Sequence, residues 1–451
     1  MCRLRHGVSI MASQKQCPGL NLSQIAQQLN NLMINNVSKH RTDVVIVGAG
    51  VAGLCCAYSL AKAGRSVRVV DQGEPGAGAS FGNCGMISPS HVLPNTLPGL
   101  PWKAFKWMFQ KSAPFRVVPQ ANMEFVSWMF GFWQRCSRAQ VERTAPAISA
   151  ILTSSRKLLH TLVEAENMQV DYGQDGCIYV YSTQKAFATE GAWRPVYDAC
   201  GVAVNVHDRV SLLKLEPALK DSIYGGYHFP EDATLRPDLY VAELVRVLQS
   251  LGVEINGGIK ATNYHEDSKG VHLHTDQGVI EAREAVLAAG AWSPLLSKTL
   301  GFRIPIQPGK GYSITMARPE RCPKHSMVLK ERSVAVTPWE SGFRLGSTME
   351  FVGYDSTLNP NRIQALIDGA TEFLHTPTAP GPHTPWYGWR PMTLDTVPII
   401  DRAPNLQRLW LATGHSMLGV SMSTGTGKLL AELMTGESPH IDPRPYRYAR
   451  F

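Results

Sequence analysis

The sequence predicts an α/β protein: a doubly wound nucleotide-binding domain, made of separated segments, joined to an α+β domain built on an antiparallel sheet. Three observations carry this. Residues 43–71, DVVIVGAGVAGLCCAYSLAKAGRSVRVVD, read as strand, turn, helix and strand. Short apolar runs and helical patterns return at 239–289 and again at 388–433. Between them, the region from 303 to about 352 reads as a succession of strands.

The 451-residue chain has room for two domains, or for one large domain with an insertion. Five of its eight net positive charges (Arg3, Arg5, Lys15, Lys39 and Arg41) lie in residues 1–42, which carry no Asp or Glu. That segment precedes the first strand and is expected to be a disordered extension, with a targeting peptide as the alternative because arginine is present and acidic residues are absent. The rest is close to neutral, which argues against nucleic acid as a partner. The nine cysteines form no CxxC pair, so reduced thiols in a cytoplasmic protein fit better than a disulfide framework or zinc site, and no metal is expected. No run of eighteen apolar residues is present to span a membrane.

The run at 43–47 is β-branched and reads as a fully buried parallel strand. Gly48, Gly50 and Gly53 then follow in the spacing G-x-G-x-x-G. Gly48 would make the tight turn, Gly50 would let a pyrophosphate approach the backbone, and Gly53 would let the next helix pack on the strand. That helix offers unpaired N–H groups to phosphate. Asp71 closes the second strand, 18 residues after Gly53, where it can accept from a ribose 2′-hydroxyl. No Arg follows it directly, which argues against a 2′-phosphate.

Residues 72–94 are too rich in glycine for a helix or regular strand and form a loop beside the nucleotide. Within it Ser80 and Asn83 could bond phosphate or ribitol oxygens, and Gly85, Met86 and Ile87 could lie against a flat ring. Residues 98–134 interleave Trp102, Trp107, Trp128 and Trp133 with Phe, Met, Lys and Arg. Such a stretch suits either a helical cap packed on a core or a membrane interface. Helices are predicted over 147–167, 239–250, 361–374 and 418–433. Strands are predicted over 176–181, 253–256, 285–289 and 409–413, with a hairpin turning at 276–278. The strands and helices from 239 to 289 read as a second mononucleotide half. The domain limits that follow are 43–95, 208–300 and 388–451 for the nucleotide domain, and 96–207 with 301–387 for the substrate domain.

Seven stretches, in order, resemble one family: VIVGAGVAGL, GASFGNCGMISP, PGLPWKAFKWMFQKSAP, AAGAWS, PGKGYSIT, GWRPMTLDTVPIIDR and NLQRLWLATGHSMLGVSMSTGTGKLLAELMTG. They cover 43 to about 440. The chain is similar to the FAD-dependent D-amino-acid dehydrogenases, within the D-amino-acid oxidase, glycine oxidase and sarcosine oxidase superfamily. The first motif is shared by many flavin and nicotinamide enzymes; the last two are far more specific. The resemblance implies a non-covalent FAD in a Rossmann-type domain. Its contacts would come from Gly48, Ala49, Gly50, Val51, Ala52, Gly53, Asp71, Gln72, Ala79, Ser80, Asn83, Gly85, Met86 and Ile87, then Ala261, Gly290 and Trp292, then Gly414, His415, Met417, Leu418 and Gly419. The helix after His415 would place its positive end near the pyrimidine edge of a reduced flavin, an electronic reason to prefer FAD over NAD. His415 could equally cap that helix.

The resemblance also places a carboxylate-binding arginine at Arg390 in GWRP, where a guanidinium would hold an α-amino acid in two parallel hydrogen bonds. Tyr312 in GKGYSIT is a second candidate, through its hydroxyl. The implied reaction is oxidative deamination of D-amino acids to 2-oxo acids and ammonia, by hydride transfer to FAD, with electrons passed to a quinone or respiratory chain. The protein would then be cytoplasmic, with peripheral contact to the inner face of the cytoplasmic membrane if residues 98–134 dock there. Cyclic imino acids such as D-proline or cis-4-hydroxy-D-proline, and oxygen as acceptor, remain alternatives. A flavin-binding subunit with no substrate of its own is the remaining class, and the complete GWRP context around Arg390 counts against it.

Overall fold

In the computed structural model, the described residues are 42–100, 115–118 and 122–451. The N-terminal extension, with Trp102 and Trp107, lies outside them. The first strand, Thr42–Val47, sits inside a parallel core between Val67–Val70 and Gly278–Leu287. Glu254–Asn256 extends the parallel set beyond Val67–Val70, and Leu409–Thr413 lies parallel to Gly278–Leu287. Val44 and Ile46 face one buried layer while Val45 and Val47 face another, so both faces are dry and the run is apolar throughout.

Four helices build the first of these layers: Val51–Lys62, Arg138–Ala165, Pro237–Ser250 and Gly419–Thr435. The glycines of the last helix have a packing reason. A side chain on Gly427 would overlap the carbonyl of Cys55 on the first helix, so the two backbones meet closely. The second layer is not the second mononucleotide half expected from sequence. Ala261–Glu266, Val271–Thr275 and Gly278–Leu287 form an antiparallel meander joined to the parallel strands. Gly278–Leu287 does both jobs. Its first half turns back on the predicted hairpin and its second half enters the parallel core.

A second sheet carries the strands Thr384–Met392, Gln307–Met316, Gly342–Phe351, Val334–Trp339, Ser326–Leu329, Cys177–Tyr181, Gly225–Phe229 and Asn205–Asp208, in that spatial order. It is antiparallel except where Ser326–Leu329 runs parallel to Cys177–Tyr181, and where Phe115–Val117 adds parallel to Gly342–Phe351. One face packs on Pro360–Thr371 around Tyr312, Ile314, Leu345 and Leu366.

Three boundaries move. The limit drawn at 208 separates Gly225–Phe229 from the sheet it pairs with, and the limit at 388 cuts through Thr384–Met392. Residues 138–165, expected in the substrate domain, form a helix against the nucleotide core. Sheet membership depends on partners distant in the chain, which local pattern does not contain. That helix also begins before the predicted 147, because Ser137 caps it by accepting from the Gln140 N–H.

Of the aromatic stretch, the described helix Met123–Gln134 packs one face on the core and leaves another outward. Phe125 and Trp128 are buried against Phe351 and Met392, and the Trp128 indole donates to the Pro305 carbonyl at 3.2 Å. Met123, Val126, Phe130 and Trp133 form an outward stripe, each more than half exposed. Among the described residues, no helix is long and apolar enough to cross a membrane.

Candidate active site

One cavity of about 1300 Å³ runs between the two sheets. Its first end is the glycine turn. Gly48 has φ +113, and a Cβ there would stand 2.5 Å from the Ala288 carbonyl oxygen. Gly53 lies under the turn, where any side chain would overlap the Gly48 carbonyl. Its role is packing, and it does not line the cavity. Gly50 leaves open space, and a Cβ there would reach only Ser80 Oγ, at 3.4 Å. Ser80 accepts from the Val51 N–H at 3.2 Å, at the positive end of the helix Val51–Lys62. Asp71 accepts from the Ala49 N–H at 2.7 Å and the Gly73 N–H at 2.9 Å. It lines the cavity, with lone pairs to spare on each oxygen for a sugar hydroxyl. Strand, glycine turn, helix and terminal acid thus form an open cradle that fits the adenosine and pyrophosphate of a dinucleotide.

The middle of the cavity is made by the glycine-rich loop and the entry to the last helix. Asn83 ties them, donating to the Met417 carbonyl at 3.4 Å and accepting from the Gly85 N–H at 2.8 Å. Arg344, buried and unanticipated from sequence, donates to the carbonyls of Phe81 at 2.9 Å and Asn83 at 2.5 Å. Trp386 lies against Gly82 and Gly388, and a Cβ on either would overlap its indole. Gln72, Ala79, Met86, Ala261, Gly290, Trp292, Met417, Leu418 and Gly419 all line the cavity. Ala49, Gly85, Ile87 and Gly414 stand behind that lining. Gly85, for one, has no room for a side chain beside the Leu235 carbonyl. His415 is on the wall, with its Nε2 2.9 Å from the Thr426 hydroxyl. Burial pushes its pKa down to about 4, so the ring is neutral at physiological pH. Cys322 packs at the second-sheet core and takes no part in the lining.

Strand alternation sorts the two substrate candidates. Gln307–Met316 and Thr384–Met392 pair with Gly309 opposite Arg390, Gly311 opposite Gly388 and Tyr312 opposite Tyr387. Successive residues face opposite sides of a sheet. Gly309 and Gly311 therefore share a face with Arg390. A side chain on Gly311 would overlap the Arg390 guanidinium, so the space that the arginine occupies exists because glycine is there. Tyr312 points to the other side. It is buried in the second-sheet core and donates to Glu350 at 2.6 Å, and it does not line the cavity. The motif PGKGYSIT thus contributes, through Gly311, the room that Arg390 occupies, and its tyrosine goes to the core.

Arg390 donates from Nη1 to the Thr348 carbonyl at 2.6 Å and from Nη2 to the Ser347 carbonyl at 3.2 Å. Both acceptors stand at positive φ, +122 for Ser347 and +48 for Thr348, and such geometry is held only where surrounding structure enforces it. Among the described residues no carboxylate lies within ion-pair distance of this guanidinium. Burial without a counter-ion pushes its pKa down to about 10, although the nearby Cys84 opposes the shift. A half-buried, oriented guanidinium with no carboxylate partner among the described residues fits an incoming carboxylate.

A dinucleotide cradle at one end of a cavity, with a guanidinium at the other, defines a dinucleotide-binding protein with room for a second, small ligand. The family model for FAD dependent oxidoreductases matches residues 43–433. A D-amino acid dehydrogenase of Agrobacterium fabrum is 34% identical over 418 residues, covering 91% of this chain and 99% of the relative. One from Methylobacterium is 31% identical, covering 90% and 99%. Among solved structures, glycine oxidase from Geobacillus kaustophilus superposes with a TM-score of 0.74 at 22% identity, covering 92% of this chain and all of that one. L-proline dehydrogenase from P. horikoshii gives 0.68 at 18%, covering 91% and 98%. The chain belongs to the FAD-dependent oxidoreductase family and is an FAD enzyme.

Proposed function

We propose that the protein oxidises D-amino acids to 2-oxo acids and ammonia and passes the electrons to a quinone or another respiratory acceptor. The observation that carries the substrate class is Arg390, a guanidinium on the cavity wall with no carboxylate partner among the described residues. The names of the curated relatives support the choice of D-amino acids. FAD, when bound, supplies the two-electron acceptor for the substrate Cα hydrogen. The chain supplies position. Arg390 has five N–H groups; two are committed to Ser347 and Thr348, which fixes the plane of the fork and leaves others for the substrate carboxylate. Trp386, Met349, Phe351 and Met392 wall this part of the cavity with apolar surface, which excludes water and strengthens the ionic contact. Tyr312, held by Glu350, has no part in this arrangement.

The acceptor reading draws on the outward stripe of Met123, Val126, Phe130 and Trp133. On the cavity side of the same helix, Phe132 joins the lining. The stripe adjoins in sequence the remaining aromatic and cationic residues up to 121. Lys298 and Arg303 lie beside its first turn, both paired to Glu124. Aromatic rings flanked by cations suit the interface of a bilayer, where quinone resides.

The deciding experiment is an anaerobic titration of the flavoprotein with D-alanine, L-alanine, D-proline and cis-4-hydroxy-D-proline, followed by flavin absorbance. Bleaching by D-alanine is the expected result, with reoxidation by a soluble quinone faster than by oxygen. Bleaching by L-alanine alone would refute the stereochemistry, and bleaching by the cyclic substrates alone would transfer the assignment to an imino acid. Failure to sediment with anionic liposomes would remove the membrane face.

A further inference from the structure

We infer that Lys330 is a second anchoring point in the cavity, one that selects substrates whose side chain ends in a hydrogen-bond acceptor, of glutamate or glutamine size. The inference rests on the reading of Arg390 as the carboxylate clamp. Its geometry comes from the register of the second sheet. Ser347, whose carbonyl holds Arg390, stands opposite Val334; Val334 stands opposite Leu329; Leu329 stands opposite Val180. Lys330 follows Leu329 directly, and its own N–H is bonded to the Val180 carbonyl at 3.1 Å. Two strand spacings therefore separate the Ser347 row from Lys330, roughly 10 Å. The intervening cavity floor is Ala335 and Val328, small and apolar.

The ammonium group is held in place. Lys330 Nζ lies 3.2 Å from Glu190 Oε2 and 4.3 Å from the centre of the Tyr179 ring. Glu190 is buried, and its other oxygen accepts from the Tyr197 hydroxyl at 2.5 Å. Burial by itself would raise the Glu190 pKa, but Lys330 and the hydroxyls of Tyr197 and Tyr181 outweigh it and keep the group ionised. Both Glu190 oxygens are thus occupied, and its role is to position the lysine. Lys330 has three N–H donors, and Glu190 takes one. Its side chain remains 30% exposed on the cavity wall. His91, on the same wall, holds no charge: burial, then the Lys330 charge, push it down to about 4. The cavity end therefore presents donors from a fixed cation, and a cationic side chain would meet repulsion there. The two carboxyl carbons of an extended glutamate stand roughly 5 Å apart. With a charge-assisted bond of about 3 Å at each end, such a molecule spans roughly the two strand spacings between the Ser347 row and Lys330.

The test uses the FAD-loaded protein as wild type, Lys330→Met and the pair Lys330→Met/Glu190→Gln. The pair removes the uncompensated buried carboxylate that the single change leaves behind. Expected is a wild-type preference in kcat/KM for D-glutamate and D-glutamine over D-norvaline, lost in both variants by on the order of tenfold. D-alanine turnover should stay within about twofold. Calorimetric binding of glutarate, which needs no turnover, should weaken in parallel while propionate binding does not change. An equal loss on every substrate, the absence of any wild-type preference, or unchanged glutarate binding would each overturn the inference and reduce the ion pair to a structural tie. If no D-amino acid is turned over yet glutarate binding still depends on Lys330, the functional reading fails and the second anchor stands.

Discussion

Replacing Arg390 with methionine keeps bulk and removes charge, and the structure sets the size of the consequence. A fork bound to a substrate carboxylate makes two charge-assisted hydrogen bonds, each worth about 1.5–3 kcal/mol. Water recovers part of that when the clamp is gone, so the net loss is about 3–4 kcal/mol. At about 1.4 kcal/mol per decade, kcat/KM for D-alanine should fall by roughly two to three orders of magnitude. Arg390→Lys keeps the charge but not the planar fork and should lie between. There is a structural side effect. The Ser347 and Thr348 carbonyls each lose a donor, at positions already held at positive φ, at a cost of about 1–3 kcal/mol apiece. The assay therefore pairs steady-state kinetics with thermal unfolding and flavin content. A folded, flavin-loaded Arg390→Met protein with kcat/KM within about threefold of wild type would refute the assignment.

Gly311→Ala places a methyl group where the guanidinium lies, yet the overlapping atoms belong to a movable side chain, so the protein should fold, retain FAD and lose on the order of tenfold or more in kcat/KM. Normal kinetics in that variant would show that Arg390 has room to move aside. Tyr312→Phe leaves Glu350 short of one donor and should lower stability by about 1–2 kcal/mol while turnover stays near wild type, and a large drop in kcat would return Tyr312 to the site. Asp232 is buried, and burial raises its pKa from 3.8 to about 7 despite bonds from the Ser90 N–H and hydroxyl. Since the folded form holds this proton more tightly than the unfolded chain, stability falls as pH rises from about 4 to 7 and levels above that. The melting temperature of Asp232→Asn relative to wild type should accordingly rise between pH 5 and 8, and a difference that does not change with pH would show that Asp232 is ionised throughout.

Local chemistry made the nucleotide end legible. A buried parallel strand, a turn that needs positive φ at Gly48, a helix that must pack over Gly53 and an acid at the end of the next strand lie within thirty residues, and each is required by the geometry of its neighbour. The sequence by itself therefore determined the dinucleotide cradle, and its later motifs singled out Arg390. Tertiary structure decided the rest, because the remaining site is assembled across strands distant in the chain. Period-two alternation turned Tyr312 into the core and put Gly309 and Gly311 on the face of Arg390, a choice that depends on which face of the sheet is covered. Arg344 clamps a loop more than 250 residues earlier. The pairing of Lys330 with Glu190 exists only because Ser326–Leu329 lies beside Cys177–Tyr181. Nothing near any of these residues in sequence states its partner. Their roles follow from burial and register, which are properties of the folded chain.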